Sequence, residues 1–268
     1  VCTENFYGRT TIIVGFSTDP GAREGFGPAT PGFRIVDYND AAALEKEITP
    51  NTCGFLVEPI QGEAGVKVPD DDYLVKVREI CTRRKVLFCA DEIQTGLGRT
   101  GALFCFEHSG VRPDIVIIGK ALSGGLYPIS AIACDDFIME VFTPGSHGST
   151  YGGNPLASAI GMAALDVIVE ENLAARAAER GAILMARLNG LKHPAIREVR
   201  GKGLLIAVEF HEPIAKAFCK LMQKEGVLAK DTHDVTVRFA PPLVITDEQI
   251  EDAFARISRA LDQLAGKN

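Results

Sequence analysis

Two residues stand out for chemistry because each follows a short apolar run, and the first is Lys120. Four consecutive β-branched residues, Ile115 to Ile118, precede Gly119-Lys120, and such a run reads as a strand buried on both faces inside a parallel sheet. Lys120 then stands at the C-terminal edge of that sheet, where open α/β sheets bind ligands. A lysine desolvated there has a lowered pKa, and its free amine can attack a carbonyl, the chemistry of a Schiff-base nucleophile. The plainer alternative is a solvated lysine capping a strand. Val86 to Ala90 forms a second run, ending in Asp91, so an acid reaches the same edge one crossover earlier. A carboxylate in that place can keep a heteroaromatic nitrogen protonated.

The elements that position these residues alternate. A loop rich in Gly and Pro spans residues 17 to 33. Strands are expected at Phe33 to Val36, Cys53 to Ile60, Val86 to Ala90 and Ile129 to Cys134. Helices are expected at Ala41 to Ile48 and Tyr73 to Arg84. This βαβ order argues for right-handed crossovers and a mostly parallel sheet. Asn154-Pro155 caps and opens a helix, and one Ala-rich helical stretch is expected from there to about Leu191. Beyond it lie strands at Leu204 to Phe210 and Thr236 to Phe239 and a helix from Ile214 to Lys224. A last helix opens on the capping box Thr246-Asp247-Glu248-Gln249. The expected division is a large α/β domain over 1–165 and a smaller C-terminal α+β domain over 166–268.

Composition narrows the classes. With 268 residues, 46% hydrophobic and 24% charged, the chain is ordinary for a folded domain. A net charge of −7 provides no basic footprint, so no nucleic-acid partner is expected. The seven cysteines contain no CxxC pair, which argues against a zinc site or a disulfide framework, and Cys53 and Cys89 read as buried free thiols in strands. No metal is expected. No apolar run reaches membrane-spanning length.

Four motifs in order, Val57-Glu58-Pro59-Ile60-Gln61-Gly62-Glu63, Asp91-Glu92-Ile93-Gln94-Thr95-Gly96, Gly119-Lys120-Ala121-Leu122 and Gly148-Ser149-Thr150-Tyr151-Gly152-Gly153-Asn154-Pro155, resemble the signature of class III, fold-type I aminotransferases that use pyridoxal 5′-phosphate (PLP). The resemblance implies PLP carried on Lys120, with Asp91 on the ring nitrogen, Gln94 on the ring hydroxyl, and Ile93 and Phe6 on opposite ring faces. It implies Ser149 and Thr150 as phosphate contacts, Thr150 from the other subunit of a homodimer. Within the family, Asn5 to Thr10, Leu126 to Ser130 and Arg238 to Leu243 resemble the branch that passes the δ-amino group of L-ornithine to 2-oxoglutarate. In that branch Arg9 and Arg238 grip substrate carboxylates, and Glu63 pairs with Arg238 until the oxo acid arrives. Glu58 flanks the pocket or serves as a structural acid beside Pro59. Enzymes of acetylornithine, glutamate semialdehyde and 4-aminobutyrate share the motifs and remain open, as does a non-catalytic dimer partner. The family pattern also begins before the position of Val1, and the implied compartment is the cytoplasm or the mitochondrial matrix.

Overall fold

The computed structural model describes residues 1–265 and divides into two compact units. The first comprises Val1–Pro59, Pro69–Leu97 and Phe104–Glu171, and the second comprises Ile60–Val68, Gly98–Leu103 and the chain from Asn172 onward.

The first unit is built on a sheet of β1 (Gly54–Val57), β2 (Leu87–Asp91), β3 (Ile115–Ile118) and β4 (Ala131–Cys134), in that spatial order. The first two pairings are parallel and the third antiparallel, so the sheet is mostly parallel as expected. Two helices lead into it, α1 (Ala41–Glu47) and α2 (Tyr73–Arg84). The second buries Tyr73, Leu74, Val77, Ile80 and Cys81, a helical stripe that packs with Phe55, Val57, Phe88 and Ala90 in one core. Asp114 ties this frame together. Its Oδ2 accepts from the Phe88 amide at 2.7 Å and from Arg78 of α2 at 2.8 Å, which fixes the entry to β3 against β2.

Four expectations need correction. β3 is not buried on both faces: all four residues are half-buried, and its neighbour β4 is more exposed still, with Ile132 at 53%. Phe33 to Val36 contributes a single parallel bridge, Val36 to Cys2, rather than a strand, since Phe33 and Ile35 face solvent. Cys53 is exposed, lying just before β1 rather than in it. The long helical stretch is two helices, α3 (Pro155–Glu170) and α4 (Leu173–Asn189), broken where Asn172 takes a left-handed φ of 49°, a conformation asparagine tolerates.

In the second unit β5 (Ile196–Lys202), β6 (Leu205–Phe210), β8 (Thr236–Phe239) and β7 (Lys230–Thr232) form an antiparallel sheet in that order. Ile206, Val208 and Phe210 bury one face of β6 with α4, α5 (Ala215–Lys224) and α6 (Asp247–Ala265). The capping box of α6 forms as expected, Thr246 and Gln249 each donating an amide to the other's side chain at 3.0 and 3.2 Å. β5 and β7 were not expected. No described helix is long and apolar enough to cross a membrane.

Candidate active site

Parallel register sets Asp91 opposite Ile117, so the two strand ends bring Asp91 and Lys120 to one edge of the sheet. Asp91 is buried, 5% exposed, and its Oδ1 accepts from the Ile93 amide at 2.9 Å. Burial pushes its carboxyl up to about 6, against the Ile93 amide and the Lys120 charge, which both favour the ionised form. Lys120 itself is exposed, contrary to the desolvated amine expected. It holds a left-handed φ of 46°, unusual for a residue with a side chain, and it opens the short helical turn Lys120–Ser123.

Around the lysine, a cleft of about 560 Å³ is lined by Lys120, Ser123, Gly125, Tyr127, Pro128 and Ser130, among others. Gly119 matters to this packing: a Cβ there would sit 3.4 Å from Ile93 and 3.6 Å from Ser130. The lysine's own strand end thus packs directly beside Ile93. Gln94 follows in the same turn, half-buried.

Phe6 is fixed from two sides. Its amide donates to Glu58 Oε1 at 2.9 Å, and the Arg9 guanidinium lies 5.7 Å from its ring centroid, a cation–π distance. Tyr7 next door donates its hydroxyl to the Leu56 carbonyl at 3.0 Å. Burial holds that phenol well above its usual range, with the Glu58 and Asp91 charges adding to the effect. The 5–9 segment is therefore tied to the end of β1 through Leu56 and Glu58. Glu58 is buried, and Tyr38 donates to its backbone carbonyl at 3.1 Å and to that of Pro59 at 2.9 Å.

Ser149 and Thr150 stand on an exposed loop, where Ser149 Oγ accepts from the Gly152 amide at 2.9 Å. Glu92, beside Asp91, was not singled out by the sequence. It is 1% exposed, accepts from Thr95 Oγ1 at 2.5 Å and from the Phe106 amide at 2.9 Å, and is pushed up to about 7, chiefly by burial. The adjacent acids Asp91-Glu92 after an apolar strand are the signal that marks it.

The second unit holds its own constellation. Arg238 Nη1 donates to Glu63 Oε1 at 2.6 Å, with the side chains 15% and 31% exposed. Arg99 lies near Arg238 and donates to the carbonyls of Leu204 and Pro241 at 3.0 and 2.6 Å. Desolvation, then the neighbouring Arg238 charge, lowers its guanidinium to about 10.

A buried carboxylate at the same sheet edge as a lysine is a donor set that fits a cofactor with a protonated ring nitrogen and a carbonyl. The flat ring of Phe6 and the apolar side chain of Ile93 fit the faces of such a ring.

The model of the family described as "Aminotransferase class-III" matches residues 1–261. The ornithine aminotransferase of Exiguobacterium sp. is 51% identical over 261 residues, 97% of this chain and 65% of that protein. The crystal structure of the ornithine aminotransferase from Toxoplasma gondii ME49 superposes with a TM-score of 0.97 at 44% identity, covering 100% of this chain and 65% of its own. The acetylornithine aminotransferase from Elizabethkingia anophelis is 48% identical with a TM-score of 0.84, covering 87% and 63%. The chain thus spans about 65% of the length of the curated relative it matches.

Proposed function

The chain belongs to the class III aminotransferase family, and on that premise we propose that the whole protein transfers the δ-amino group of L-ornithine to 2-oxoglutarate, giving glutamate semialdehyde and glutamate, with PLP as its cofactor. The observation that carries the choice of substrate is the 2.6 Å pair of Glu63 with Arg238. A pocket that takes ornithine by its far amine and glutamate by its α-amine needs an arginine that is available to only one of them. Paired with Glu63, Arg238 is neutralised and the α-carboxylate of ornithine turns to other groups. Once the pair opens, Arg238 takes the α-carboxylate of the oxo acid and Arg9 takes the distal one, each by the two-pronged geometry of a guanidinium. Opening is compensated, because the carboxylate of the oxo acid replaces Glu63 beside the half-buried guanidinium, which is never left without a counter-charge.

PLP, when bound, supplies a carbonyl for amines and a protonated ring that draws electrons from the substrate carbon. Lys120 would hold it and, when free, carry a proton on Nζ to and from that carbon. Asp91 would keep the ring nitrogen protonated, Gln94 would bond the ring hydroxyl, and Phe6 and Ile93 would enclose the ring. Glu58 acts at one remove by holding the Phe6 amide. Ser149 and Thr150 would meet the phosphate, Thr150 that of a second copy; their place on an exposed loop supports a site shared across a homodimer.

The test is Glu63→Ala. With Arg238 permanently free, single-turnover rates should rise for the α-amine of glutamate relative to the δ-amine of ornithine. An unchanged ratio removes the gate. The likeness to an acetylornithine aminotransferase favours a second reading, and a wild-type preference for N-acetylornithine over ornithine in the same assay would establish it.

A further inference from the structure

The register of the second sheet sets Arg200, Ala207 and Arg238 opposite one another on β5, β6 and β8. Directly opposed residues project to one face, and here it is the face away from the Ile206, Val208 and Phe210 core. Residues 60–68 lie along this row as a strap. Gln61 and Lys67 close the strap by exchanging amide-to-carbonyl bonds at 3.1 and 3.0 Å, and Gly65 turns it at a φ of 99°. Two arginines grip it at different points. Arg238 holds the Glu63 side chain. Arg200 holds only backbone: Nε donates to the carbonyls of Gly65 at 3.2 Å and Val66 at 3.0 Å, and Nη2 to Gly65 at 2.7 Å. Its remaining Nη1 is taken by Glu198 at 2.9 Å and by a very close contact with Glu209.

The chemistry of the two grips differs. Arg200, 16% exposed and already faced by two carboxylates, has no charge left to offer a substrate. A guanidinium that spends its planar fork on main-chain carbonyls fixes the chain without depending on any side-chain rotamer. We propose that Arg200 is a positioning residue for the gate: it pins the strap at Gly65 and Val66, so that Glu63 releases and recaptures Arg238 by side-chain rotation alone, and it thereby sets the preference between the two amino groups. This rests on the gating role given to Glu63 above.

The decisive variant is Arg200→Lys in the cofactor-loaded, full-length protein. It keeps the charge and loses the fork. Two quantities are read: the single-turnover rate ratio of glutamate to ornithine, and the affinity for glutarate by calorimetry, which reports a free Arg238 without turnover. Arg200→Lys should raise the ratio and tighten glutarate binding by about two- to fivefold, the scale of a partly exposed ion pair. In the Glu63→Ala background it should add nothing, because no carboxylate is left to position. Gly65→Ala loosens the same anchor from the strap side, since its Cβ would meet Arg200 Nη2 at 3.4 Å and Thr236 at 3.3 Å at a strained φ; it should shift both readouts the same way. If Glu63→Ala shifts both readouts while Arg200→Lys and Gly65→Ala, folded, leave them at wild-type values, the positioning role is overturned and the gate stands. If Glu63→Ala shifts neither, the gate falls and the inference with it. Additive shifts in the double variant also overturn the inference.

Discussion

Asp91→Asn should make the cofactor-free protein more stable while removing most of its activity. The structure sets the size of the first effect. Burial raises the Asp91 carboxyl from an ordinary value of 3.8 to about 6, so the native state binds the proton more tightly than the unfolded chain does. Stability is then fully present below the lower value and is lost as pH rises through the upper one. With each pH unit of separation worth about 1.4 kcal/mol, the cost at pH 7.5 comes to about 3 kcal/mol. At about pH 4.5, less than about one unit above the unfolded value and with the native carboxyl still protonated, it is about 1 kcal/mol. Asparagine retains the acceptor for the Ile93 amide and removes the buried charge, so the variant recovers this difference. Thermal unfolding should show a rise of roughly 5–10 °C at about pH 7.5 and a much smaller one at about pH 4.5. Turnover of the loaded enzyme should fall steeply, because a neutral amide cannot hold a ring nitrogen protonated. An equal gain at both pH values, or none at about pH 7.5, would refute the desolvation argument; near-normal turnover would refute the role of the charge.

Two further outcomes follow from other parts of the fold. Borohydride reduction of the loaded enzyme should fix a pyridoxyl group on Lys120, read by peptide mass mapping, and modification of a different lysine would overturn its assignment. Gly181→Ala in α4 should cost at least about 2 kcal/mol by thermal unfolding despite alanine's better helix propensity, since a Cβ there would lie 2.1 Å from the Gly203 carbonyl oxygen and backbone must move.

How much of this the sequence discloses depends on how local each signal is. Asp91 and Lys120 are legible because strand and functional residue are contiguous, and the parallel pairing that aligns them follows from the βαβ order. Glu63 and Arg238 lie 175 residues apart, and no local pattern links them; only the resemblance to a family does. Arg200 is invisible for a different reason. Its strand reads Ile-Arg-Glu-Val-Arg-Gly-Lys, too charged and too irregular in alternation to look like a strand, because one of its faces serves the strap rather than a core. The break at Asn172 is hidden in the opposite way: apolar residues continue on both sides of it, so periodicity reports one helix where a single left-handed residue makes two.

Four carboxylates in the family motifs show that burial, and what each oxygen accepts, decides the work an acid can do. Glu92, at 1% exposure with a hydroxyl and an amide on its oxygens, is held by neutral donors on both sides and serves to tie Thr95 and Phe106 to the strand end. Glu58 likewise spends an oxygen on the Phe6 amide, which fixes the chain that carries the Phe6 ring. Glu63 keeps nearly a third of its side chain in water, so once it leaves its arginine water can solvate it, as the proposed gate would require. Asp91 alone is buried with a single amide donor and a lysine charge nearby. On the proposed reading, a protonated ring nitrogen would meet its demand for positive charge, so the residue that weakens the empty fold would be the one the reaction depends on.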